Sequence, residues 1–280
     1  MTADLFGKPL MFARLVFSLA AVSLLGAAAV VQAGPKQQTL AAGERVVDLP
    51  LGDGLEVRVL YDAPHHPRAT LVMLPGGSGD IGLRRDGELR RADNFVVRTR
   101  ADWLARGYAV LIPDTVDRAN LRGVRSSPAY GRLVHSLAAY AQDRSPRPIF
   151  LVGTSQGTIA ATNGAAHARP GLIAGLVLTE PVSVPGQQST ETVLDADPQD
   201  VRIPVLVVSN QSDACDVAPP EMASRIAASM TRSPSVRVLS VSGGMQRSDR
   251  ACGSLSPHGY YGIEQEVVSG IAGWLQRHGG

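Results

Sequence analysis

The sequence predicts an α/β protein built on a mainly parallel sheet with helices on both faces. Three observations point there. Short runs rich in Val, Leu and Ile alternate with amphipathic stretches of helix length. Runs such as Ala69 to Leu74 and Ile203 to Val208 are almost continuously apolar, as strands buried on both faces are. A further run, Pro148 to Val152, ends in Gly153-Thr154-Ser155-Gln156-Gly157 and passes at once into small, helix-compatible residues, which is a strand, a sharp turn and a helix in succession.

Composition narrows the class. A chain of 280 residues with a net charge of +2 and scattered basic residues carries no signature of nucleic-acid binding. Aromatic residues make up 5%, while Ala, Val, Leu and Gly are plentiful, which suits a sheet packed under helices better than a Tyr- and Trp-rich binding surface.

Residues 1–33 are expected to stand outside the fold. Lys8 and Arg14 precede an apolar run from Leu15 to Val31, and Val31-Gln32-Ala33 offers small residues for a signal peptidase, so a signal peptide and a periplasmic or secreted product are expected. An uncleaved N-terminal membrane anchor is the alternative; no Cys follows the run to take a lipid. Residues 34–280 then form one domain.

In that domain, Arg45 to Pro50 and Leu55 to Tyr61 alternate apolar and polar residues around Gly52-Asp53-Gly54, the pattern of an antiparallel hairpin at a sheet edge. The Ala69–Leu74 strand runs into Pro75-Gly76-Gly77-Ser78-Gly79-Asp80, whose glycines leave backbone N–H groups open to a ligand. A helix from Asn94 to Arg106 with Phe95, Val96, Trp103 and Leu104 inward, a strand from Tyr108 to Pro113, and a helix from Ala129 to Gln142 follow. His135 falls off the apolar face of that helix and is read as solvated. After the Ser155 unit come a strand ending at Thr179 and a stretch from 181 to 200, rich in Pro, Gln, Ser and Asp, read as an insertion too short for a full lid. A strand ending at Val208, a helix over 220–230, a strand from Val236 to Val241 and a helix from Ile263 to Arg277 complete the alternation, with no internal repeat.

The chemistry centres on Ser155. Gly-x-Ser-x-Gly between a strand and a helix reads as a nucleophile elbow, in which the glycines give room where strand and helix nearly touch; a Gly-rich loop of a nucleotide-binding α/β unit is the alternative. A serine hydroxyl needs a base to take its proton and an acid to orient that base. Asp213, a few residues past the strand ending at Val208, is the expected acid, with Asp216 and Glu180 as alternatives. His258, past the last strand, is the expected base; His65, His66 and His167 precede the acid, and His278 is terminal. No metal and no organic cofactor is expected.

Cys215 and Cys252 are the only cysteines, and in an oxidising compartment a single disulfide is expected, two unpaired thiols being the alternative. The bond would tie the acid loop to the base loop and contribute roughly 3–4 kcal/mol by loop entropy.

Gly153-Thr154-Ser155-Gln156-Gly157, the Gly76-Gly77 loop and the order Ser155, Asp213, His258 resemble the α/β-hydrolase superfamily over essentially the whole mature chain. Asp213-Ala214-Cys215, and the stretch from Cys252 to His258-Gly259, look like an exported bacterial, esterase-like branch of it. The resemblance implies an eight-stranded, mostly parallel sheet with a minimal lid and an acyl-enzyme mechanism: Ser155 attacks a carbonyl carbon, His258 moves the proton and Asp213 holds the imidazole. It also implies an oxyanion hole from the Gln156 amide and one after Leu74. Pro75-Gly76 stands where such loops often begin with His-Gly, so Gly77 is preferred and Ser78 is the alternate. The expected function is hydrolysis of a small carboxylic ester by an exported serine hydrolase, with no membrane partner after signal cleavage. Amide, peptide or lactone hydrolysis, or a non-catalytic binding protein on the same scaffold, are the alternatives.

Overall fold

Six consecutive buried residues, Ile149 to Thr154, form the middle of the molecule because a strand flanked on both sides and covered on both faces has no polar side to present. The computed structural model describes residues 39–52, 55–187 and 190–279. The expected export segment, 1–33, lies outside them, as do Asp53 and Gly54 of the expected hairpin turn and residues 188–189 of the expected insertion. All described residues fall in one folded unit, Pro35–Gly280. Among them, no helix is long and apolar enough to cross a membrane.

Among the described residues, eight strands make one sheet: β1 (Arg45–Gly52), β2 (Leu55–Asp62), β3 (Thr70–Leu74), β4 (Ala109–Pro113), β5 (Ile149–Thr154), β6 (Gly175–Thr179), β7 (Val205–Asn210) and β8 (Val236–Val241), in the spatial order β1-β2-β4-β3-β5-β6-β7-β8. The β1–β2 hairpin occupies one edge, and β2 pairs antiparallel with β4; every other pairing is parallel. The chain steps over β3 on its way from β4 to β5, so the order reverses near the tips of β3 and β5. In open α/β sheets a crevice forms at such a reversal.

Alternating strand residues feed two cores. From β3, Val72 and Leu74 pack on one face with Val134, Leu137 and Ala138 of α3 (Pro128–Arg144) and Ile159 and Ala160 of α4 (Gly157–Ala166). Leu71 and Met73 pack on the other with Phe95, Val96 and Trp103, and with Val267, Ile271 and Trp274 of the C-terminal helix (Glu264–His278).

Some local expectations need correction. The helix expected over Asn94–Arg106 is two short helices, α1 (Phe95–Arg98) and α2 (Arg100–Ala105). They break at Thr99, whose φ of −89° and ψ of 2° leave the helical region, and whose hydroxyl is spent on the Phe95 carbonyl at 2.8 Å. The helix expected over 220–230 begins as a 3₁₀ turn, Pro220–Met222, before α5 (Ala223–Ser229), leaving α6 as Glu264–His278. His135 is partly buried, with Nε2 3.1 Å from the Gly164 carbonyl, because α3 packs against α4 on that side. The 181–200 stretch is pinned to the body: Val182, Val193 and Ala196 are buried, and the Glu191 carboxylate accepts the Arg125 and Ser126 N–H groups at 2.9 Å each.

Candidate active site

The site begins with a close backbone contact between Gly153 and Gly157. A Cβ on Gly153 would lie 2.5 Å from the Gly157 carbonyl oxygen, so α4 can leave the tip of β5 this tightly only with glycine there. Between them Ser155 takes a φ of 51°, a left-handed conformation that non-glycine residues seldom hold without support. The support is its own N–H, which donates to the Thr179 carbonyl at 2.9 Å across to β6. The turn leaves Ser155 half-buried while its neighbours are buried.

His258 reaches it from the loop after β8. The residue lies in a 3₁₀ turn, Pro257–Gly259, whose first turn is capped by the Ser256 hydroxyl accepting the His258 N–H at 3.2 Å. Gly259 lies so near Ser254 that a Cβ would meet its carbonyl oxygen at 2.0 Å. Two side chains fix this loop in place. Asn210, at the end of β7, donates from Nδ2 to the Gly243 and Pro257 carbonyls at 2.9 Å each. Arg98 of α1 pairs with Glu264 at 3.0 Å and donates to the Gly259 carbonyl at 2.7 Å. Sequence reasoning missed both; a polar residue at a strand tip was the only available signal for Asn210, and Arg98 carried none.

Asp213 comes from the loop after β7. Its Oδ1 accepts the Cys215 N–H at 2.8 Å, and its side chain is fully buried. The three side chains meet in a line: Oδ2 of Asp213 lies 2.7 Å from Nδ1 of His258, and Nε2 lies 2.9 Å from Oγ of Ser155. A carboxylate can only accept, so Nδ1 carries the proton and Nε2 is the acceptor for the hydroxyl. The alternative acid Asp216 is exposed, with Oδ1 3.5 Å from the Cys252 sulfur. Glu180 is completely buried at the tip of β6 and close to Asp213.

Cys215 and Cys252 form a disulfide, which joins the Asp213 loop to the His258 loop. The Gly-rich loop after β3 lies directly over the elbow: a Cβ on Gly76 would meet the Thr154 carbonyl oxygen at 2.9 Å and the Ser155 Cβ at 3.0 Å. Gly77 takes a φ of 60°. Among the described residues, the N–H groups of Gln156, Gly77 and Ser78 have no hydrogen-bond acceptor. Beneath this loop the buried Arg125 guanidinium donates to the Pro75 carbonyl at 3.3 Å.

Among the described residues, two groups carry side chains of metal-ligand type: Cys215 with Asp216 and Cys252, and Glu180 with Asp213 and His258. The disulfide removes both thiolates from the first. In the second, Asp213 and His258 spend their facing atoms on one another. A cleft of about 750 Å³ opens elsewhere, lined among others by Arg58, Leu83, Arg84, Asp114 and Arg118, and shares no residue with the Ser155 group.

An alcohol hydrogen-bonded to an imidazole that leans on a buried carboxylate can give up its proton as its oxygen attacks an electrophile. Unpaired amides beside it can receive a developing negative charge. No family model matches the chain, and no curated protein sequence matches it. Solved structures do. An esterase from Pyrococcus furiosus is 14% identical, with a TM-score of 0.61 over 89% of this chain and 100% of the other. A dienelactone hydrolase from Anabaena variabilis is 16% identical, with a TM-score of 0.58 over 86% and 98%. A structure described as an α/β serine hydrolase homologue, from Coxiella burnetii, is 16% identical, with a TM-score of 0.57 over 85% and 99%. The chain has the α/β-hydrolase fold.

Proposed function

We propose that the protein is a serine hydrolase that cleaves a small carboxylic ester through Ser155, His258 and Asp213. The observation that carries this reading is the unbroken pair of contacts, 2.9 Å from Ser155 Oγ to His258 Nε2 and 2.7 Å from His258 Nδ1 to Asp213 Oδ2. Ser155 Oγ bonds to the carbonyl carbon as its proton passes to Nε2. The imidazolium, held by Asp213, then gives that proton to the departing alkoxide as the carbon–oxygen bond breaks, leaving an acyl-serine. Water repeats the sequence, its proton passing to His258 and then to Ser155, and the carboxylic acid leaves. The amide of Gln156, with that of Gly77 or alternatively Ser78, receives the negative charge on the carbonyl oxygen.

Structural neighbours named as an esterase and as a dienelactone hydrolase support an ester, with a lactone as the second substrate class open to the same machinery. Residues 1–33 act as the export signal, or as an N-terminal anchor, and the disulfide is in keeping with a periplasmic or secreted destination.

A fluorophosphonate probe tests the nucleophile: it should label wild-type protein at Ser155 and fail to label Ser155→Ala. Chromogenic esters of increasing acyl length, run beside an amide, test the substrate, and short acyl esters should turn over. Cleavage of the amide alone would overturn the ester assignment. An unlabelled, well-folded wild type would favour a binding protein on the hydrolase scaffold.

A further inference from the structure

A second acid stands behind Asp213, and the proposed proton path leaves it without a task. Glu180 follows the last residue of β6 with a φ of 45°, in the left-handed region, and is 0% exposed. One carboxylate oxygen of Glu180, one of Asp213 and a ring nitrogen of His258 lie within 4.8 Å of one another. The Asn210 N–H donates to Oε1 at 2.7 Å. Oε2 is buried and, as a carboxylate oxygen, meets no donor among the described residues.

The titratable groups around it are Asp213 from the loop after β7, and His258 and Tyr260 from the loop after β8. The donors in that set also face other acceptors. The Tyr260 hydroxyl lies between the Val208 carbonyl, at 3.1 Å, and Glu180, while His258 Nδ1 gives its proton to Asp213. Two carboxylates this close in the interior cannot both carry charge. Burial first, and the Asp213 charge second, push the Glu180 carboxyl well above the ordinary range, against the lowering effects of the Asn210 N–H and the Tyr260 hydroxyl. Once protonated, the carboxyl becomes a donor, and Asp213 is the acceptor beside it.

Given the Ser155–His258–Asp213 reading of the site, we propose that Glu180 is a positioning residue whose protonated carboxyl donates a hydrogen bond to the Asp213 carboxylate, so that the pair carries one negative charge and Asp213 stays turned towards His258. The strained backbone at the strand tip aims the side chain inward, where Asn210 anchors one oxygen and leaves the other for Asp213.

The test compares the disulfide-bonded wild type with Glu180→Gln and Glu180→Leu, using a chromogenic short-acyl ester. Gln keeps a donor in place, so kcat should remain within about threefold of wild type, whereas the apolar Leu should lower kcat at least about tenfold with little change in KM. The acidic limb of kcat/KM reports the imidazole and should fall at the same pH in wild type and Glu180→Gln, since both are neutral at position 180. A downward shift of about one pH unit in Glu180→Gln would mean that wild-type Glu180 is charged, and would overturn the proposal. So would a loss in Gln as large as that in Leu. Infrared difference spectra give a reading that needs no turnover: the carbonyl band of a protonated carboxyl should be present in wild type at neutral pH and missing from Glu180→Gln, or from Glu180→Leu should the Gln protein not fold. Its absence from wild type would sink the proposal. Failure of Ser155 labelling and ester turnover would instead count against the triad, while the band would still decide whether Glu180 holds a proton.

Discussion

The backbone of Gly157 runs so close to the tip of β3 that a Cβ built on it would stand 2.1 Å from the Leu74 carbonyl oxygen. The contact seats the start of α4 against the strand that carries the Gly-rich loop, so it sets how far the Gln156 amide lies from that loop. Gly157→Ala must push the two apart. Overpacking of this kind costs about 1–3 kcal/mol, so the variant should melt at a lower temperature and lose most of its ester turnover. Thermal unfolding and a chromogenic assay check this, and unchanged values for both would contradict the proposed site geometry.

His258→Ala should reduce kcat by about a thousandfold or more, because it removes the proposed proton path. Ser155→Ala should do the same. Groups that act as a unit are not additive, so the double variant should be about as slow as either single one. Steady-state kinetics of the three proteins check this, and multiplied losses would mean that the two residues act separately.

The Cys215–Cys252 bond should serve the site as well as the fold, since the Cys215 N–H donates to the Asp213 carboxylate. Removing the bond in Cys215→Ser with Cys252→Ser should cost roughly 3–4 kcal/mol by loop entropy. Turnover at low temperature should fall too. Denaturant melts and ester assays, each with and without reductant on the wild type, read the two effects, and a doubly substituted protein with full stability and turnover would refute both.

The buried Glu180 gives stability a direction with pH. Its folded-state value is raised by burial and by Asp213, so over a range above the unfolded value of about 4.3 the folded chain keeps a proton that the unfolded chain releases. More protons bound when folded means that stability falls as pH rises through this range. Below it the contribution is fully present. Glu180→Gln cannot titrate and should escape the fall, so its melting temperature should gain on the wild type between pH 4 and pH 8. A constant difference across that range would show no shift at Glu180.

Much of the fold was legible in the chain because strands buried on both faces leave continuous apolar runs such as Ile149 to Val152, bounded by glycine and proline. Ser155, Asp213 and His258 were singled out for a related reason: Gly153 and Gly157 mark a local backbone requirement, and the strand tips limit where an acid and a base can stand. What escaped depends on packing at a distance. The break at Thr99 follows from a hydroxyl turning onto its own helix, and the burial of His135 from the approach of a neighbouring helix; neither alters periodicity. Glu180 was visible as an acid at a strand tip. That its carboxyl turns inward behind Asp213 rests on a φ of 45°, which the residue type gives no reason to expect.

The three side chains of the proposed triad are anchored very unequally. Ser155 is clamped between a central strand and the helix that leaves it, whereas the other two arrive on peripheral loops stitched down by Asn210, Arg98 and one sulfur bridge. Such loops open at lower free energy than a sheet interior. Warming should therefore silence the protein while its scaffold still stands, and cooling should revive it, because the hydrogen bonds that pin those loops open before the sheet, and the sulfur bridge holds the two loops near one another throughout.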